Sequence, residues 1–153
     1  MFSDLGSVDP RPKKAPVPDD FSLRTKDIKG AGYFLDASQV GICKMVENAW
    51  YKGVTPFNQE YAIVIVVRPG RTPETDNIAY DWVNGHEIAA AELRAFEIAV
   101  ALSEHVQWMG FDGKAHKHEK GEIDIDRLSV LAGLNIRDGE RLVNPFLGEN
   151  FAL

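Results

Sequence analysis

The run His116-Lys-His118-Glu119 sets two imidazoles two residues apart with a carboxylate beside them. On a strand that spacing puts both rings on one face, which is how a metal site could begin. Lys114, Lys117 and Lys120 interleave the run, and their charges oppose a second cation at close range. A solvated polar loop is the stronger reading. Cys43 is the only cysteine. Inside a short apolar run it reads as a small core hydrophobe. The rival reading is a nucleophile activated by Lys44, and it has no histidine nearby in sequence to serve as base. Gly30 and Gly32 could open a phosphate-binding loop, but their spacing matches no known cradle; glycines that allow close helix packing are the favoured reading. No Gly-x-Ser-x-Gly elbow occurs, which leaves a serine hydrolase without support.

The elements that would position these residues follow from pattern. Tyr61 to Val67 is a run of seven apolar residues rich in β-branched side chains, ended by Arg68-Pro69-Gly70. It is too short for a stable helix and fits a strand covered on both faces. Such a strand needs helices above and below it, so the chain reads as α+β or α/β. Asp20 or Ser22 caps an expected helix to about Asp36, with Leu23, Ile28, Ala31 and Leu35 on its inner side. Gln39 to Met45 reads as a short strand with Val40 and Ile42 inward. A helical turn near Ile78 to Trp82 breaks at Asn84-Gly85.

From His86 to about Met109, Ile88, Ala91, Ala95, Ile98, Ala99, Leu102, Val106 and Met109 form one stripe at helical spacing, and Gly110 closes the helix. Leu93, Phe96 and Val100 form a second stripe, so this helix packs on two sides. The second side faces either the domain's own loops, or a partner or a further domain. Asp124 caps a short helix with Leu128, Leu131 and Ala132 inward. Asn150-Phe-Ala-Leu153 has the pattern of a strand.

A chain of 153 residues supplies one domain's core. The expected organisation is a proline-rich extended leader over residues 1–20 and a single domain over 21–153. A net charge of −6, with no basic patch in the sequence, argues against nucleic acid or an anionic membrane as partner. A single cysteine rules out an intrachain disulfide, and also a four-thiolate iron–sulfur cluster held by this chain alone. Without a long apolar run or a twin-arginine pair, the expected location is the cytoplasm.

Several stretches in order carry a resemblance. They are Gln39-Val-Gly-Ile-Cys-Lys, then Glu60-Tyr-Ala-Ile-Val-Ile-Val-Val, then Tyr80 and Gly85 before the long helix. Leu131-Ala-Gly-Leu134 and Arg141-Leu-Val-Asn-Pro-Phe-Leu-Gly complete the set. Together they resemble the first half of the cobalamin-dependent reductive dehalogenases and the related epoxyqueuosine reductases. The resemblance implies an α+β fold, a mixed sheet with helices packed on it. It would be the nitroreductase-like, cobalamin-binding type, present as a partial or degenerate copy. Asn135 stands where that family has a glycine, and Ile136 to Glu140 is shorter than the family's turn.

The resemblance further implies a non-catalytic N-terminal module that supports a cobalamin-binding core. Its partners would be the C-terminal corrinoid and iron–sulfur domains of the same or a partner chain. Cobalamin and 4Fe–4S clusters are implied for the full-length family, and no cofactor for this chain alone. Tyr80 and His86, beside the long helix's start, and Arg137, in the altered turn, become candidates for proximity to substrate or cofactor. A packed tyrosine and an ordinary N-terminal helix histidine compete with that role. The alternative is a standalone module that binds a small ligand or a partner, dimeric through Leu93, Phe96 and Val100.

Overall fold

The computed structural model describes residues 16–118 and 121–153; the greater part of the expected leader and Glu119 lie outside them. Helix α1 spans Phe21–Phe34. The Asp20 carboxylate accepts a hydrogen bond from the Ser22 amide at 2.7 Å, satisfying one of the donors that a helix start leaves open. Ile28 is buried, whereas Leu23 is 47% exposed, so the expected inner face of α1 is narrower than its apolar residues imply. Gly32 is needed for contact: a Cβ there would sit 2.6 Å from Val40 Cγ2. Asp36, at φ 70°, turns the chain out of the helix in a conformation that aspartate tolerates better than most residues.

Strand β1, Gln39–Lys44, pairs antiparallel with β2, Tyr61–Val66, with Val40 opposite Ile65 and Ile42 opposite Ile63. Between them lies a 3₁₀ turn, Glu47–Ala49. After β2, a loop leads to α2, Tyr80–Val83, and α3, His86–Trp108. Helix α4 spans Ile125–Leu131, capped by the Asp124 carboxylate, which accepts from the Arg127 amide at 3.0 Å. Strands β3, Ile136–Asp138, and β4, Arg141–Val143, form an antiparallel hairpin.

Strand β2 is covered on both faces, as its unbroken apolar run requires. On one side Ile65 and Val67 pack with Val40 and with Ala91, Ala95, Ile98 and Leu102 of α3. On the other Val64 packs with Ala49, Ile123 and Leu128 of α4, with Cys43, Met45 and Leu134 alongside. The α+β class is as expected. The mixed sheet is not: every strand pairing among the described residues is antiparallel, in two small sheets. Leu131 is also corrected, since it is 49% exposed rather than inward. Residues 136–140, expected as a shortened turn, instead hold β3 and the tip of its hairpin.

Near the end of the chain, Val67 and Ala152 exchange backbone hydrogen bonds at 2.9 Å in each direction. This antiparallel bridge lies on the edge of β2 away from β1. The start of a strand expected at residues 150–153 is therefore present as one bridged residue.

Candidate functional site

A groove of about 950 Å³ opens beside β2. Its floor contains Ala62 and Val64 as well as Tyr61, Ile63 and Ile65, residues whose side chains leave β2 on opposite faces. A groove reached by both faces of a strand runs along that strand's edge. Helix α3 forms one wall with Leu93, Ala95, Phe96 and Ala99, and α4 forms the other with Ile125 and Leu128; Leu153 stands at its margin. The second apolar stripe of α3 is thus partly accounted for. Leu93, 55% exposed, and Phe96 line the groove.

A cluster of aromatic rings and charges borders the groove. Trp50 meets Phe57 edge-on, with ring centroids 5.5 Å apart. Lys114 Nζ lies 3.9 Å from the Phe57 ring centroid and donates to Glu122 Oε2 at 2.6 Å. His116 sits beside them, with Nδ1 3.7 Å from the same carboxylate oxygen. Burial pushes the His116 imidazole below its ordinary pKa; the Lys114 charge pushes the same way and Glu122 opposes both. A neutral ring is what such a site favours. Lys117 lies over Phe96, 4.8 Å from the ring centroid. Lys114 and Lys117 at the rim are therefore already engaged, one with a carboxylate and a ring, the other with a ring.

The histidine pair does not converge. His118 Nε2 contacts Asp126 at 2.8 Å while His116 turns to Glu122, and both histidines lie on a loop, outside any helix or strand. Among the described residues, no group of three or more histidine, cysteine, aspartate or glutamate side chains gathers as metal ligands do. Cys43 is half-buried, its Sγ 3.6 Å from the Leu128 carbonyl. Burial raises the pKa of its thiol, the opposite of activation.

Tyr80 begins α2 and His86 begins α3, while Arg137 lies on exposed β3. None of these three lines the groove. Gln107 and Asn144, buried to 2% and 1% exposure, do not stand out in the sequence. Gln107 donates to the Gly113 carbonyl at 2.9 Å and ties the loop after α3 to the helix. Asn144 donates to Gln39, at 2.6 Å, and to Asn135, at 2.9 Å. Polar residues inside an apolar stretch are the only signal the sequence offers for either.

No family profile and no curated protein matches the chain. Among solved structures, the catabolic reductive dehalogenase NpRdhA in N-terminally tagged form superposes with a TM-score of 0.86 and 36% identity. That match covers 96% of this chain and 21% of the other. The chain resembles one fifth of a reductive dehalogenase. The same figures hold for a reductive dehalogenase described in connection with B12-dependent dehalogenation. NpRdhA in complex with 3-bromo-4-hydroxybenzoic acid gives a TM-score of 0.82 and 35% identity, over 96% of this chain and 20% of that one. Nearly the whole chain is thus similar to a minor part of a much longer enzyme.

Proposed function

We propose that this chain is a non-catalytic N-terminal module of a reductive dehalogenase, a protein that removes halide from an organohalide, and that it supports the cobalamin-binding core. The observation that carries the reading is the match itself: 36% identity along 96% of this chain against 21% of a dehalogenase. The chemistry of the side chains agrees with a supporting role. A four-thiolate cluster needs more cysteines than the single Cys43, and that thiol is held protonated by burial. The residues present do not fit an iron–sulfur cluster. The groove walls are mainly aliphatic and aromatic, and Lys114 and Lys117 at the rim already have partners. We infer that corrinoid and clusters belong to the C-terminal domains, and that this chain contributes packing and burial around them. Tyr80, His86 and Arg137 stay candidates for the side that meets those domains.

Titration of the purified chain with oxidised and reduced cobalamin, followed by visible absorbance, tests the absence of a corrinoid site here. The expected result is an unchanged spectrum up to high ligand concentration. Saturable conversion to a base-off spectrum would show that this copy holds corrinoid and would overturn the non-catalytic reading. The second reading, a standalone binding module, is favoured by one observation: Leu93 and Phe96 face an open groove. Its dimeric form predicts a doubled mass on size exclusion with light scattering, reverting to a monomer in Phe96→Ser.

A further inference from the structure

The groove lies along an open edge of the sheet. In the β1–β2 ladder, Met45 donates to Glu60, and Cys43 and Gly41 stand opposite Ala62 and Val64. Antiparallel pairs alternate in which edge they bond, so the even-numbered residues of β2 turn their N–H and C=O to β1. Those of Ile63, Ile65 and Val67 turn the other way. Val67 obeys this rule, exchanging both bonds with Ala152. Among the described residues, no strand pairs with that edge at Ile63 or Ile65, although Ile65 is only 6% exposed. A buried edge with outward backbone groups calls for a backbone partner.

We propose that the groove receives a β-strand that follows Leu153 in the longer polypeptide and runs antiparallel along β2. The proposal deepens the module reading and rests on it. Continuity with the existing bridge selects this occupant. Phe151-Ala-Leu153 already approaches the correct edge, and the Val67–Ala152 pair fixes direction and register. The dehalogenase that the chain resembles is also far longer, since 96% of this chain covers 21% of it.

Register then dictates composition. Alternate residues of the incoming strand fall opposite Ile65, Ile63 and Tyr61, and cross-strand partners share a face. Residues opposite Ile65 and Ile63 therefore point to α3, and those opposite Val64 and Ala62 point to α4. Both sides are apolar, so the strand is a continuous apolar run of about five to six residues, the usual strand length. Its arrival would place β2 in the middle of a three-stranded sheet.

Hydrogen exchange on the chain as it stands and on the chain extended through its natural downstream sequence tests this. The Ile63 and Ile65 amides should exchange at least 100-fold more slowly in the extended protein, with the β1-facing Ala62 and Val64 amides protected in both. Proline at position 63 should be tolerated by the chain as it stands, because its N–H meets no strand there. The same Ile63→Pro change should remove the added protection in the extended protein, while Ala62→Pro should damage both. Equal exchange at Ile63 and Ile65 in the two proteins would overturn the proposal, as would a natural chain that stops at Leu153. Protection that grows with concentration in the shorter chain would assign the slot to a second copy instead, and so overturn it. Protection in an extended protein that lacks dehalogenation would retire the enzyme reading and leave the strand in place.

Discussion

Two glycines in one helix separate the ways a missing side chain can act. A Cβ on Gly30 would meet no heavy atom within 4 Å, whereas a Cβ on Gly32 would strike Val40 Cγ2 at 2.6 Å. Gly30→Ala should stabilise the chain by about 0.5–1 kcal/mol through helix propensity. Gly32→Ala should destabilise it by about 1–3 kcal/mol through overpacking against β1. Urea midpoints measure both, and equal effects would contradict the packing role of Gly32. His116 gives a pH signature. Its pKa is lowered in the folded chain, by burial first and then by Lys114, so the unfolded state binds its proton first. The stability tied to the neutral ring is complete above about pH 6.5 and is lost as pH falls through the lower folded value. His116→Gln should flatten the fall in urea midpoint between about pH 7 and about pH 5.5. At this scale the sequence identified Cys43 and the two histidines as chemically able, but not their surroundings. The contacts they make, Cys43 with Leu128, His116 with Glu122 and His118 with Asp126, are distant in sequence or hidden among other charges.

Among the elements, those with a long regular pattern were legible. The stripe from Ala91 to Leu102 placed α3, and the β-branched run placed β2. The hairpin of β3 and β4 was not, because three-residue strands carry too little alternation to read. It is held by something other than an apolar face. Asn144 donates to Gln39 Oε1, Asn135 Oδ1 and the Leu134 carbonyl, and accepts from the amides of Phe146 and Leu147. Asn144→Ala should therefore cost about 1–3 kcal/mol by leaving buried partners unpaired. Exchange protection should drop first at residues 134–148, with β1 and β2 retained. Loss of protection spread evenly over the chain would contradict a local role. Removal of the α4 cap by Asp124→Ala should cost about 1 kcal/mol, read as a lower melting temperature.

At the scale of the molecule, class and fit differ in how far sequence reaches. A strand apolar throughout requires cover on both faces, and that alone implied helices on two sides of β2. The groove was invisible because its lining comes from both faces of one strand, from three helices and from loops. No periodicity reports a space between elements. No helix among the described residues is long and apolar enough to cross a membrane. Under the proposed function, this chain supports a corrinoid core held elsewhere in a dehalogenase. The most direct measurement compares bound cobalamin and halide release in the extended protein, in the same protein lacking residues 21–153, and in that shortened protein with the purified 153-residue chain added back. Loss of both on deletion, with recovery on adding the chain, is the predicted result. Full cobalamin content and full halide release without residues 21–153 would contradict it.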